Sequence, residues 1–169
     1  MPSMSKTLEV DGSLTYDGTP LTLDMSLNSP RAFLDGQSAA IKGTAKTDFA
    51  NIDIDGEFLP GEAIALAAKL DGSVTDMAAI KPYLGENAQY IDPLSSASLA
   101  GNIRFENSVM STKQANITAK GDGLDVNFTG DATLAETPQV TGEIEAKLAN
   151  MAAIKPFLTA ETVKYITPL

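Results

Sequence analysis

The sequence predicts a mainly β protein: an antiparallel meander of about nine strands forming a strongly curved sheet or half-barrel. Three observations predict it. Apolar and polar residues alternate with period 2 along most of the chain, as in strands with one hidden and one wet face. The links are short and carry turn residues, which favours hairpins between neighbours. The chain also repeats itself: Met-Ala-Ala-Ile-Lys-Pro stands at 77–82 and returns at 151–156, and at the same offset Thr44-Ala45-Lys46 returns as Thr118-Ala119-Lys120 and Gly56 as Gly130. A repeat of this length is one structural unit used twice.

The elements follow in order. Leu8, Val10, Leu14 and Tyr16 alternate with Glu9, Asp11, Ser13 and Thr15. Asp17-Gly18-Thr19-Pro20 supplies a turn, and Leu21, Leu23, Met25 and Leu27 then alternate with polar residues to complete the clearest hairpin. Ser29-Pro30 can cap and start one helical turn that Gly36 ends. A weak strand is expected at 39–46 and a regular one at 51–58. After Pro60-Gly61, a fifth strand carries Ile64, Leu66, Ala68, Leu70 and Val74 on one face.

The second unit repeats the style. Leu99, Ile103 and Phe105 alternate well, whereas 109–119 alternates poorly, with Ala115, Ile117 and Ala119 on one side. Leu124, Val126, Phe128, Ala132 and Leu134 are regular again, as are Val140, Ile144, Ala146 and Leu148. Gly12, Gly56, Gly72, Gly101, Gly130 and Gly142 fall in phase with the apolar residues. Glycine there permits sharp bending and close backbone approach, which suggests strong curvature; small residues in a packed sandwich are the alternative. The expected organisation is a leader at 1–5 and one β domain, 6–169, made of two related units, 6–94 and 95–169, read as part of a longer protein.

The repeated phrase breaks the period-2 rhythm, and short helices are expected after the strands near 76–91 and 150–166. Asp76 and Asn150 are good N-caps. Pro82 and Pro156 come early, so the first helix should end or kink there and a second can begin at the proline. Met77, Ile80, Tyr83 and Leu84 make a buried stripe, with Met151, Ile154, Phe157 and Leu158 in the copy. The phrase reads as a helical cap closing each unit, or else as an amphipathic helix for a partner.

Composition narrows function. The net charge is −10, unfavourable for contact with nucleic-acid phosphates. The chain has no Cys and no His, which removes thiolate metal sites, disulfides and the commonest general base. No cofactor is expected and the chain does not read as an enzyme. Asp53, Asp55 and Glu57 share the wet side of one strand at about 7 Å spacing, an arrangement open to a glycosidase pair or a weak calcium site but most simply a solvated strand face. Gly121-Asp122-Gly123 is a turn, without the pattern of a phosphate loop around it.

The segment from Gly12 to Gly36, with its Gly-Ser-Leu-Thr-Tyr-Asp-Gly-Thr-Pro-Leu hairpin and Ser29-Pro30 turn, resembles the periplasmic region of the AsmA family. Leu99 to Leu148, ending Pro138-Gln-Val-Thr-Gly-Glu-Ile-Glu-Ala-Lys-Leu148, is similar to that family's recurring strand phrase. The resemblance covers about 8–158 and its motifs are structural, so no functional residue is carried over. It implies a Gram-negative envelope protein, periplasmic and anchored in the inner membrane by its parent chain, linked to outer-membrane assembly and lipid homeostasis. Larger relatives are thought to conduct phospholipids along β-grooves. This chain lacks the anchor and most of that length.

Two readings of function result. In the first, the apolar face is a groove for phospholipid acyl chains, lined by Leu8, Val10, Leu14, Leu23, Met25, Leu27, Ile52, Ile54, Phe58, Leu66, Ile103, Phe105, Val126, Phe128 and Ile144. In the second, the same residues are an ordinary core, and the module is a scaffold that binds envelope-assembly proteins.

Overall fold

A computed structural model describes residues 6–59, 65–107, 109–135, 137 and 139–149, with the side chains of Glu86, Asn87 and Tyr90 left aside. The expected second helix near 150–166 therefore lies outside the described residues. The nine strands are β1 (Leu8–Tyr16), β2 (Thr19–Leu27), β3 (Ala39–Lys46), β4 (Ala50–Leu59), β5 (Ala65–Val74), β6 (Leu94–Glu106), β7 (Val109–Gly121), β8 (Leu124–Leu134) and β9 (Gln139–Leu148). They form one antiparallel sheet in sequence order, with β1 and β9 at its edges, so the meander is open rather than closed. Two helices interrupt it: α1 (Pro30–Leu34) between β2 and β3, and α2 (Met77–Leu84) between β5 and β6, the latter extended by a 3₁₀ segment, Gly85–Ile91.

Register turns the local alternation into two continuous faces. Gly12, Leu23, Ala45, Ile52, Gly72, Leu99, Ile117, Phe128 and Ile144 stand opposite one another in turn across all nine strands. One step along each strand lies a polar row: Asp11, Asp24, Thr44, Asp53, Asp71, Ala100, Asn116, Thr129 and Glu143. Because side chains alternate strictly, a one-residue slip anywhere would exchange the faces beyond it.

The poor alternation of 109–119 has a structural cause. The pairing of β7 shifts on both sides around Gln114, between Thr112 and Ala115 against β8 and between Lys113 and Asn116 against β6, so that two residues of β7 oppose one of each neighbour. Gln114 sits there with φ of 53°, and its backbone N–H donates to the Asp131 carboxylate at 2.9 Å. This bulge advances the phase by one residue. Met110 and Thr112 before it, and Ala115, Ile117 and Ala119 after it, consequently all face the apolar side.

The tight turns follow their residues. Asp17 and Gly18 both have positive φ, the conformation of a type I′ hairpin, whose twist matches that of its strands. Gly36 also has positive φ and follows α1 directly, ending it as expected. Ser29 does not cap α1: it has φ of 49° and makes no side-chain cap bond, so the helix begins on the preset φ of Pro30 alone. Asp76 does cap α2, accepting from the Ala78 N–H at 2.9 Å. The expected end of the helix at Pro82, with a second one starting there, is corrected: α2 runs through it to Leu84, and the 3₁₀ segment starts only at Gly85. Pro82 lies in the last turn, so its missing N–H removes one ladder bond just before the helix ends.

Little is fully buried. Among the described residues the buried apolar side chains are Ala39, Ile41, Ala65, Ala68, Met77, Ala115 and Leu124, and four of these are alanine. The in-phase glycines instead allow close backbone contact. A Cβ on Gly130 would overlap the Thr141 carbonyl oxygen and stand 2.6 Å from the Gly142 Cα, while the Phe128 ring lies over both glycines. Gly56 meets Ala68 in the same way one repeat earlier. Gly101 is crowded by Ala115, but Gly12 and Gly72 have open surroundings, so tight approach explains four of the six.

Gly130→Val should destabilise the protein by about 1–3 kcal/mol, because the Cβ overlaps backbone that cannot rotate aside. Gly12→Ala, with open space around it, should change stability by less than about 1 kcal/mol. Urea midpoints of the two variants measure the contrast.

Candidate functional site: the apolar face between two helical covers

All fifteen candidate lining residues fall on one face of the sheet. Leu8, Val10 and Leu14 face Leu27, Met25 and Leu21. Met25 and Leu23 continue through Gly43 and Ala45 to Ile54 and Ile52. Phe58 continues through Leu66 to Phe105, and Ile103 pairs with Ala68. Val126, Phe128 and Ile144 complete the second unit. The register also adds Ile41, Leu70, Leu99, Met110, Ile117, Val140 and Leu148 to this face. Met110 was not legible as a member because the bulge separates it from the residues with which it shares the face.

This face is unevenly covered. Ile41 is buried, and Leu23, Met25, Leu27, Ile54, Phe58, Leu66, Ile103, Val126 and Phe128 are half-buried. Leu8, Val10, Leu14, Ile52 and Phe105 are exposed, and Ile144 is 69% exposed. A closed core would have hidden these side chains, so the sheet has not folded over itself across them.

Two helices cover its ends. Phe33 of α1 packs on Phe58 with ring centroids 5.6 Å apart. At the opposite end, Tyr83 of α2 lies 6.2 Å from the Tyr16 ring, and its hydroxyl shares a 2.7 Å hydrogen bond with the Thr19 hydroxyl. Tyr16 and Thr19 both belong to the apolar face. Eight helical residues span about 12 Å, close to the roughly 14 Å of three strand spacings. Thus α2 crosses from the end of β5 back to the β1–β2 turn, over the ends of β3 and β4. A Lys81–Asp92 ion pair of 2.7 Å ties the helix to the segment that follows it.

The expected cap stripe is partly corrected. Met77 is buried and Ile80 and Leu84 are half-buried, but Tyr83 is 42% exposed: it rests on the rim, with one ring face against Tyr16. Met151, Ile154, Phe157 and Leu158 lie outside the described residues. Sequence reasoning missed Phe33 and Tyr16 as partners of the covers, since both contacts join residues distant in sequence.

The opposite face is wet and charged. Two hollows lie on it, of about 380 Å³ beside Asp24, Lys42, Thr44, Asp53 and Asp71, and about 660 Å³ beside Glu57, Lys69, Asn102, Arg104 and Lys113. Their walls are long charged side chains standing on the sheet. Asp53 accepts hydrogen bonds from the Thr44 hydroxyl at 2.6 Å and from the Asn51 amide, and these bonds, Thr44 first, hold its carboxyl below the usual range. Asp55 pairs with Lys42 at 3.3 Å. The three carboxylates of β4 therefore do not converge: each faces a different neighbour. Among the described residues no group of three or more acidic side chains is placed to hold a metal ion, and no helix is long and apolar enough to cross a membrane. On the apolar face the Thr112 hydroxyl is buried without a partner.

No protein-family model matches the chain, and no curated protein or solved structure is similar enough to match it.

Asp53 gives a signed pH dependence. Its folded pKa is depressed, so its contribution to stability is complete above the unfolded value of about 3.9 and is lost as pH falls through the folded value. The wild type should therefore lose more stability between pH 6 and pH 3 than Asp53→Asn, read from urea midpoints. Asp76→Ala should cost about 1 kcal/mol through loss of the α2 cap, on the same measurement.

Proposed function

We propose that this chain is a non-enzymatic, periplasmic segment of an AsmA-like envelope protein. In this reading its apolar face receives phospholipid acyl chains in outer-membrane assembly, phospholipid transport or both, and its parent chain is anchored in the inner membrane. The observation that carries the lipid part is the unbroken apolar row, running from β1 to β9 in register with exposed members at both ends and in the middle. Apolar surface of this extent calls for a covering of matching chemistry. Each acyl methylene laid against it contributes about 0.8 kcal/mol, so a chain crossing several strands can be held without any polar contact. The envelope assignment is supported by the sequence resemblance between residues 8 and 158.

A scaffold module that binds envelope proteins is the second reading. One observation favours it: the Phe33–Phe58 and Tyr16–Tyr83 contacts already occupy the two ends of the face, and two hollows lie on the charged side.

Native mass spectrometry of protein purified from a Gram-negative envelope should show bound phospholipid. The double variant Ile52→Asp, Phe105→Asp places charge at two exposed points of the apolar face and should lose most of it while keeping its β-sheet circular dichroism. A wild type that carries no lipid, or a variant that carries as much, would leave the scaffold reading.

A further inference from the structure

The repeat keeps its register and its apolar–polar alternation, though not its residue identities, in strands β5 and β9. Leu66, Ala68, Leu70, Gly72 and Val74 become Val140, Gly142, Ile144, Ala146 and Leu148, 74 positions later. Both strands pair on one side with the preceding strand in the same way. Thr75 N–H donates to the Phe49 carbonyl, and Ala149 N–H donates to the Gly123 carbonyl, each at 2.8 Å. Because backbone groups alternate sides along a strand, the N–H and C=O of Leu66 through Val74 in the even positions point towards β6. The same groups of Val140, Gly142, Ile144, Ala146 and Leu148 point to the free edge of the sheet. On β5 those groups are met by β6. On β9 none is met among the described residues, and every residue of the strand is exposed.

The side chains preserve the fit as well as the backbone. Against β5, β6 sets large against small in four successive apolar pairs, Ala68 with Ile103, Leu70 with Gly101, Gly72 with Leu99 and Val74 with Ala97, after the large pair Leu66 with Phe105. Carrying β6 over by the repeat gives Gly142 with Ile103, Ile144 with Gly101, Ala146 with Leu99 and Leu148 with Ala97, the same alternation. On the polar side Glu143 would face Asn102, and Glu145 would face Ala100, with no like charges opposed. A second copy fits less well. The two antiparallel β9–β9 registers of greatest overlap set Glu143 against Glu143, or Glu143 against Glu145, which opposes like charges across the pair.

We propose that the free edge of β9 is an acceptor for one added strand from a partner protein, antiparallel to β9. This strand alternates large and small apolar residues in the order of β6 and carries no acidic residue opposite Glu143 and Glu145. It extends both faces by one strand, as β6 extends them beyond β5. The proposal rests on register and edge geometry, and it stands whether or not the apolar face holds lipid.

The test uses the whole chain and a synthetic peptide of residues 94–106. The peptide, labelled at its N-terminus, should bind saturably by fluorescence anisotropy, and a scrambled peptide should not. Ala146→Pro removes an outward N–H without touching the β8–β9 ladder, and should weaken binding about tenfold or more. A Gly101→Leu peptide, which sets a large residue against Ile144, should also bind about tenfold less well, and this arm does not depend on the protein variant folding. Failure of the 94–106 peptide to bind, equal binding of the scrambled peptide, or indifference to both changes would overturn the proposal. So would a concentration-dependent dimer that excludes the peptide and that Ala146→Pro dissociates, since the edge would then belong to a second copy.

Discussion

Everything in this molecule depends on one constraint: the phase of side-chain alternation must be kept through eight successive strand pairings. A sheet with a thick core tolerates a local error because packing on the other layer re-imposes the register. Here seven side chains, mostly alanine, are buried among the described residues, so the ladder itself must hold the phase. The bulge at Lys113–Gln114 makes this visible. It is inserted on β7 relative to both β6 and β8, so the two shifts act together and the apolar row is restored on β8 without a slip. Asp131 accepts the N–H that the bulge frees, which leaves no stranded donor at Gln114.

The thin core and the crowded glycines have a common origin. Where Gly130 faces Gly142 and Gly56 faces Ala68, the backbones approach so closely that no further side chain fits. Phe128 then spreads its ring over the paired glycines, covering backbone that would otherwise be bare, as aromatic residues do beside edge glycines. The apolar face therefore stays partly exposed rather than forming a filled interior. The two helices act on that face from opposite ends: α1 through Phe33, and α2 through Met77 and Tyr83. What they leave uncovered is the middle of the sheet and both edges.

Much of this was legible in the sequence, and the reasons differ by element. The β1–β2 hairpin, the strands of both units and the Asp76 cap were readable because each rests on signals within a few residues: alternation, an Asp-Gly pair, an N-cap before an apolar run. Common membership of one face for fifteen scattered residues was readable because short links enforce nearest-neighbour pairing. Three things were not readable. The continuation of α2 through Pro82 depends on how soon the helix ends, and the proline alone does not report that. The phase of β7 depends on an αL residue that is a glutamine and not the glycine that would have marked it. The covers depend on Phe33 meeting Phe58 and Tyr83 meeting Tyr16, contacts fixed by the path of the sheet and not by any local pattern.

The repeat also explains why the two edges of the sheet are not equivalent. Strand β2 corresponds to β6 at the 74-residue offset, and β6 is flanked by β5; in the first unit the flanking place beside β2 is taken by β1, whose sequence lies outside the repeat. With Glu9 and Asp11 on its polar side, β1 is an acidic strand of its own kind. On the other flank β9 keeps the size pattern of the residues that in β5 face a neighbour, with the small Gly142 and Ala146 in place of Ala68 and Gly72. An edge meant only to stop would gain from a proline, a bulge or an inward lysine. Strand β9 has none of these: its pairing with β8 is regular along its whole length, and its single lysine lies in the polar row. The residue pattern that keeps nine strands in phase thus recurs on β9, whose even positions face the side that β6 fills beside β5.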